Sequence, residues 1–169
     1  MYTFKDYYHN TVQLSFEDRP FSHEPKHVWV VCRRGDEWLL THHLRRGLEF
    51  PGGKVEDGEK PEEAAVREVR EETGGIVSYL QYIGQYKVSG RDKIIIKNIY
   101  FATISDLQDH THYNETNGSV LLKKIPDDIK EDKRFSFIMR DDVLRHSLAY
   151  IQKHCLHGTG MLESKVQEF

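Results

Sequence analysis

Eight carboxylates lie between Glu56 and Glu72, and only three cations accompany them. In a helix that advances about 100° per residue, Glu68 and Glu72 differ by about 40°, and Glu71 lies about 60° from Glu68. Like charges at this spacing cost a few tenths of a kcal/mol per pair. A divalent cation reverses the sign, because Mg²⁺ is bound by carboxylates together with water and phosphate oxygens. The cluster therefore slightly favours a metal site.

A solvated helix with surface ion pairs is the simpler alternative for the same segment. It explains Arg67, which can pair with Glu63 and Glu71 at a spacing of four residues. It does not explain why Glu68 and Glu72 share one side of the helix with no cation between them. We expect the three clustered glutamates to flank the buried side of the helix, where their repulsion grows as the effective dielectric falls.

The helix that carries these glutamates is predicted over Pro61–Thr73. Proline suits the first helical position, and two glutamates follow it where the helix dipole favours anions. Gly74 and Gly75 supply a left-handed stop. One apolar stripe should face the core and consists of Ala65, Val66 and Val69.

Strand patterns surround this helix and predict a mixed fold. The run His27–Cys32 is β-branched and aromatic throughout, as expected of a strand covered on both faces, and Gly35 turns the chain into a hairpin partner. A second helix is predicted over about Asp141–Cys155. The remaining strand candidates are Thr11–Phe16, Glu37–His42, Tyr79–Val88, Lys93–Ile104 and Ser119–Ile125. Strands and helices in this order indicate an α/β or α+β sandwich.

The bulk properties narrow the class of protein. A chain of 169 residues and 19.9 kDa predicts a single domain, here expected over residues 1–158, with a frayed tail over 159–169. A net charge of −3 argues against stable DNA binding. Two cysteines, no signal-like segment and no long apolar run predict a cytoplasmic protein that does not enter membranes.

The stretch from Gly53 onward carries a longer pattern: Gly, five residues, Glu59, seven residues, then "REVREETG". It resembles the Nudix box, the signature of the Nudix hydrolases, whose substrates are nucleoside diphosphates linked to another group. The last position of the box is normally aliphatic and here is Gly75, with Ile76 one place later. The matching positions are Gly53, Glu59, Arg67, Glu68, Val69, Glu71, Glu72 and Gly74. A pattern of this length is far more specific than a lone glycine motif.

Further segments are similar to the MutT-type branch of that family. The stretch Leu48–Lys54, "LEFPGGK", resembles the MutT subgroup, and "KDYYHNTVQLSF", "GQYKV" and "FSFIM" resemble MutT homologues of bacilli. The resemblance implies an α/β/α sandwich with a central mixed sheet, beside which the box forms a loop–helix–loop. It also implies a nucleoside triphosphate pyrophosphohydrolase, with purine nucleotides and oxidised forms such as 8-oxo-dGTP among the substrates.

The same resemblance implies a set of metal ligands and catalytic groups. It places Mg²⁺, with Mn²⁺ as the alternative ion, on Glu68, Glu72 and the carbonyl of Gly53, with Glu71 in the same cluster. Glu68 is the first candidate for the general base that takes a proton from the attacking water. Glu115, in "YNETNG", is the second candidate, because MutT-like enzymes supply another acidic ligand from a loop after the box.

Substrate contacts are expected from residues around the box. Lys54 would steady the leaving phosphates as a point charge, and Arg45 or Arg46 could do the same from the preceding loop. Phe137, in "FSFIM", is the candidate for stacking on a base. Arg67 is expected to orient Glu71.

Other functions are compatible with parts of the sequence. Removal of pyrophosphate from RNA 5′-triphosphate ends needs the same metal helix, and so does a silent module that binds a nucleotide or Ca²⁺. The stretch "GRDKI" lacks the Tyr or Pro of the dinucleoside polyphosphate and ADP-ribose subgroups. Two possible zinc-ligand sets, His110 with His112 and His154 with Cys155 and His157, lack zinc-finger spacing. The chain has no P-loop motif. MutT reads its purine partly through an Asn, where this chain has Asp141 and Asp142, which favours a broader purine range.

Overall fold

The computed structural model describes residues 1–108 and 116–156. In chain order, its strands are β1 (Tyr2–Lys5), β2 (Thr11–Ser15), β3 (His27–Arg34), β4 (Glu37–His43), β5 (Gly47–Glu49), β6 (Gly52–Lys54), β7 (Gly75–Ser89), β8 (Ile94–Leu107) and β9 (Thr116–Leu122). The helices are α1 (Pro61–Thr73) and α2 (Asp142–His154), and two short 3-10 helices cover Ile129–Glu131 and Phe137–Met139. Within these ranges no helix has the length and apolar character needed to cross a bilayer.

The strands form one mixed sheet with the order β1-β2-β7-β8-β3-β4-β5. β3 runs parallel to β8, and it pairs antiparallel with both β4 and β6. β9 pairs with the edge of β4 opposite to β5, since Thr41 lies opposite both Glu49 and Ser119. The predicted central mixed sheet is therefore confirmed.

The sheet is covered on both faces, as the continuous apolar character of β3 predicts. One face packs against α2 and the 3-10 segments through a core that includes Trp29, Phe50 and Ile151. The other face packs against α1 through a second core that includes Val30 and Val69. The two helices thus lie on opposite faces, and the predicted sandwich is confirmed.

Three short strands are absent from the sequence prediction: β1, β5 and β6. β5 and β6 are three residues each and lie in a glycine- and proline-containing stretch, so their local pattern is that of a loop. Pairing with β4 and β3 makes them strands nevertheless. Because β6 contains Gly53, this pairing fixes the backbone that the box presents to α1.

The predicted helix boundaries hold for α1, which begins at Pro61. The backbone N–H of Lys60 donates to the carboxylate of Glu63 at 3.3 Å, which satisfies one of the free donors at the amino end. Gly74 adopts the left-handed conformation with φ of 74°, and its N–H donates to the carbonyl of Arg70 at 2.9 Å. Gly75, predicted to share in this stop, instead begins β7.

Candidate active site

Two carboxyl groups meet on the inner side of α1, where the sequence predicts a metal site. Glu68 and Glu72 are one helical turn apart, and their carboxyl groups interact with each other. The side chain of Glu68 is only 13% exposed. Burial raises the pKa of both groups above its usual value, and the neighbouring Glu68 raises that of Glu72 further. The backbone N–H of Gly52 also hydrogen-bonds the Glu72 carboxyl.

The glycines of β6 allow the strand to lie close to these carboxyls. A Cβ added at Gly53 would collide with the carboxylate of Glu68, because this carboxylate occupies the position that a side chain of residue 53 would take. A Cβ added at Gly52 would come within 2.5 Å of the carbonyl oxygen of Val28, which is backbone and cannot move aside. Gly52 is therefore required by its close approach to backbone, whereas a side chain at Gly53 would displace the carboxylate of Glu68; neither glycine has a positive φ.

Arg67 forms the centre of the charge network on the outer side of the pair. Its guanidinium binds both carboxylate oxygens of Glu59, at 2.7 and 2.9 Å, and donates to the carbonyl of Lys54 at 2.9 Å. It also donates to Glu68 and Glu71, each at 3.1 Å. The guanidinium lowers the pKa of Glu59. Arg67 thus ties the loop before α1 to the helix itself.

Two expectations about this network are wrong. Arg67 pairs with Glu59 across the loop instead of with Glu63, whose carboxylate accepts the N–H of Lys60. Glu71 does not flank the buried side of the helix, because 59% of its side chain is exposed. Its predicted contact with Arg67 is present. Glu68 and Glu72 form the inner pair, and Glu71 lies at the solvent edge.

The carboxyl end of α1 is held by two threonines that sequence reasoning missed. The carbonyl of Glu72 accepts hydrogen bonds from the hydroxyls of Thr41, at 3.0 Å, and Thr116, at 3.2 Å. Both hydroxyls belong to buried residues of the sheet, on β4 and β9. They fix the last turn of the helix and so the position of Glu72.

The oxygen atoms around the pair suit a hard divalent cation. The two carboxyl groups supply oxygen donors beside the backbone of Gly53, and the repulsion that raises the pKa of Glu72 would be relieved by a positive charge between them. Across the two described ranges, no three side chains of the His, Cys, Asp and Glu types are grouped closely enough to hold an ion by themselves. A cation here would therefore complete its shell with water or substrate oxygens, as Mg²⁺ usually does.

On the opposite face of the sheet, charged groups line a second region. Burial lowers the pKa of Lys97, while Glu49 and Asp141 raise it. Burial raises the pKa of Asp141 to about 7, and its carboxylate caps α2 by accepting the N–H of Val143. Glu49 is buried and also raises the pKa of Glu72. The two regions are thus electrostatically connected.

The predicted substrate residues take different positions around this region. Arg46 is engaged with Glu49 through bonds of 2.8 and 3.1 Å, whereas Arg45 is exposed. Lys54 is exposed at the end of β6. Phe137 makes an edge contact with Tyr8, with ring centroids 5.0 Å apart. Glu115 lies outside the described residues, as do His110, His112, His157 and the predicted tail.

Metal-free protein is expected to lose stability as the pH rises from about 5 to about 9. Burial and the neighbouring Glu68 raise the pKa of Glu72 to about 9 in the folded protein, so Glu72 retains a proton that the unfolded chain releases above a pKa of about 4.3. Raising the pH therefore favours unfolding, and a divalent cation should remove the effect by replacing the proton. Thermal melting across this range, with chelator and with Mg²⁺, measures it. The melting temperature of Glu72→Gln should increase with pH relative to that of the wild type. A difference between the two proteins that does not vary with pH would contradict the raised pKa of Glu72.

Comparison with known proteins identifies relatives over most of the chain. A family model described as the NUDIX domain matches residues 23–142. YtkD of Bacillus subtilis (strain 168), a protein provisionally named an 8-oxo-dGTP diphosphatase, is 60% identical over 153 residues, which cover 90% of this chain and 97% of YtkD. The crystal structure of a mutant of the Bacillus subtilis pyrophosphohydrolase BsRppH superposes with a TM-score of 0.89 and 59% identity, covering 90% of this chain and 97% of that one. A NUDIX hydrolase from Nitrosomonas europaea, 20% identical, shares the fold with a TM-score of 0.62 over 77% of this chain and 90% of that one.

Proposed function

Because the chain belongs to the NUDIX family and is a Nudix hydrolase, we propose that it hydrolyses a phosphoanhydride bond in the 5′-triphosphate of a purine nucleotide, with Mg²⁺ as its ion. Members of the family generally use a divalent metal ion. The observation that supports the proposal most directly is the inner pair of Glu68 and Glu72 against the glycine backbone of β6. The name of YtkD supports oxidised purine nucleotides such as 8-oxo-dGTP as substrates.

Glu68, Glu72 and the carbonyl of Gly53 are the proposed ligands of the ion, with Glu71 at its outer edge and Glu115 as a further ligand. When bound, a divalent ion supplies positive charge to the phosphates and makes a bound water more acidic. The chain itself supplies the geometry, because α1 is held by the hydroxyls of Thr41 and Thr116. Fixed positions of this kind account for much of the rate in phosphoryl transfer.

Glu68 is the proposed general base. Arg67 donates to one of its oxygens at 3.1 Å, which fixes the carboxylate and favours its charged form. Burial acts in the opposite direction and raises the pKa, so the group is a stronger proton acceptor than an exposed glutamate. The carboxylate can then take the proton of a water aligned with the phosphorus. Glu115 stays the second candidate for this role.

The leaving phosphates are proposed to lie near Lys54, which follows Gly53 directly. Its ammonium offsets negative charge as the bond breaks. Arg45 and Arg46 are the further candidates, although Arg46 would have to share its guanidinium with Glu49. Phe137 and Asp141, whose pKa burial raises to about 7, are the candidates for contact with the purine.

A direct assay combines three substrates with product identification. GTP, 8-oxo-dGTP and a 5′-triphosphorylated dinucleotide are incubated with the protein and Mg²⁺, and phosphorus NMR distinguishes pyrophosphate from orthophosphate. We expect metal-dependent release of one of these products, and chelator should abolish it. The absence of product from all three substrates would contradict the proposal. Tight nucleotide binding in that case would favour the silent binding module.

The second candidate function is removal of pyrophosphate from 5′-triphosphorylated RNA ends. The likeness to the pyrophosphohydrolase BsRppH over nearly the whole of that chain supports it. It requires the same inner pair of glutamates, so the two candidates differ only in the surface beyond the triphosphate. Relative turnover of the dinucleotide and GTP in the same assay separates them.

A further inference from the structure

Four lysines near the beginning of β3 have no counterion within the described ranges: Lys26, Lys54, Lys93 and Lys97. Lys97 is influenced by Glu49 and Asp141, but neither carboxylate approaches within the 4.0 Å of an ion pair. A protein with a net charge of −3 has enough carboxylates to pair these ammonium groups. Because these lysines are unpaired in an acidic protein, they create a local positive potential that attracts anionic ligands.

Sheet register arranges three of the basic residues in a row. In the strand pairing, His27 of β3 lies opposite Lys54 of β6 on one side and opposite Lys97 of β8 on the other. Residues paired across strands project from the same face of a sheet. Since neighbouring strands are about 4.8 Å apart, the row spans about 10 Å.

The pKa of His27 is affected by the positive charges around it. Its pKa is lowered first by burial and then by the charges of Lys97, Lys54 and Lys93. Its Nδ1 atom is buried and has no hydrogen-bond partner among the described residues. A buried polar atom without a partner is uncommon and calls for a ligand or water.

An open cavity of about 400 Å³ lies at this position. It is lined by Lys26, His27, Lys54 and Lys93 but not by Lys97, and the carboxylate that accompanies them is that of Glu24. The isoleucines of residues 94–96 form an apolar wall. The volume is within the range of about 300–1,000 Å³ that is typical of small-ligand sites.

We propose that this cavity is a second anion subsite, which binds a phosphodiester group of a nucleotide chain whose 5′-triphosphate lies at Gly53. The inference rests on the proposed function, and it makes a 5′-triphosphorylated oligonucleotide a better substrate than a free nucleoside triphosphate. Lys54 joins the two sites, because it borders the cavity and follows Gly53 in β6. A mononucleotide has no group to place in the cavity, whereas a dinucleotide has one phosphodiester.

Replacement of Lys93 by Gln tests the subsite with a small change. Lys93 is exposed and precedes β8, so the variant should fold normally. Lys124→Gln is the matched control, because it removes the same charge from an exposed surface pair with Asp127. For Lys93→Gln we expect KM for a 5′-triphosphorylated dinucleotide to rise roughly three- to tenfold more than KM for GTP. The slope of log KM for the dinucleotide against log salt concentration should fall by about 0.7. Lys124→Gln should change neither the KM ratio nor this slope.

A binding measurement keeps this test separate from the chemistry. Fluorescence anisotropy of a labelled 5′-hydroxyl tetranucleotide, without metal, reports the subsite alone, and Lys93→Gln should weaken its binding by the same factor. Equal losses on GTP and dinucleotide, or unchanged tetranucleotide binding, would overturn the subsite. If the wild type hydrolyses neither substrate but the lysine-dependent binding is present, the proposed reaction fails while the subsite stands.

Discussion

Replacement of Glu72 by Gln is expected to reduce nucleoside triphosphate hydrolysis by about 100-fold or more. Groups that merely orient metal ligands already contribute about 10–100-fold, and Glu72 is a proposed ligand itself. The amide retains the size of the side chain and can still donate a hydrogen bond to Glu68. The variant therefore keeps the packing of the pair but cannot ionise, so it cannot supply the carboxylate charge that the proposed cation requires. Initial rates at several Mg²⁺ concentrations measure the effect.

Glu63→Gln is the matched control for this loss. Glu63 belongs to the same helix and is exposed, and its amide replacement can still accept the N–H of Lys60. We expect its rate to stay within about twofold of the wild type, since surface changes of this kind are nearly neutral. Near-wild-type turnover of Glu72→Gln at all Mg²⁺ concentrations would remove the metal role assigned to Glu72.

Replacement of Arg67 by Ala is expected to lower the free energy of unfolding by about 3 kcal/mol, because it leaves the partly buried carboxylates of Glu59 and Glu68 without their charged hydrogen-bond donor. Only 23% of the Arg67 side chain is exposed, and its guanidinium makes five hydrogen bonds. For a chain of this size the loss corresponds to a fall in Tm of roughly 10 °C. Chemical denaturation and thermal melting both measure it.

Two further variants define the cause of this destabilisation. Arg67→Lys keeps the charge but cannot bind both oxygens of Glu59, so we expect an intermediate loss. Arg145→Ala removes an arginine that is exposed on α2 and pairs with Asp142 at 3.4 Å, and it should cost less than about 1 kcal/mol. If Arg145→Ala and Arg67→Ala proved equally destabilising, the network around Arg67 would have no special role.

The helix of the box could be predicted well because its information is local. Pro61 and Gly74 mark its ends, and the apolar stripe identifies its buried side. Helical periodicity predicts the direction in which a side chain points from the helix axis. It does not predict how much of the helix surface the neighbouring strands and loops cover. For this reason Glu68 was placed correctly on the buried flank, whereas Glu71, about 60° away, proved exposed.

The parts that could not be predicted depend on contacts between distant segments. Thr41 and Thr116 lie 31 and 44 residues from Glu72, and nothing in their local sequence marks them as hydrogen-bond donors to a helix end. Arg67 prefers Glu59, eight residues away, because the loop between them folds back. The basic row needs the register of β3 with β6 and β8, which no single strand pattern reveals.

One short bridge at the sheet edge connects the two ends of the substrate region. The N–H of Leu48 in β5 donates to the carbonyl of Arg134, and the carbonyl of Leu48 accepts the N–H of Ser136, each at 2.9 Å. Leu48 leads toward the glycines of β6, and Ser136 directly precedes Phe137. These two hydrogen bonds hold the backbone before Phe137 against β5, and the N–H of Phe50 adds a contact to the sulfur of Met139 at 3.4 Å. The distance between the glycines of β6 and the proposed purine contact is therefore set by the backbone of one continuous segment, residues 48–53.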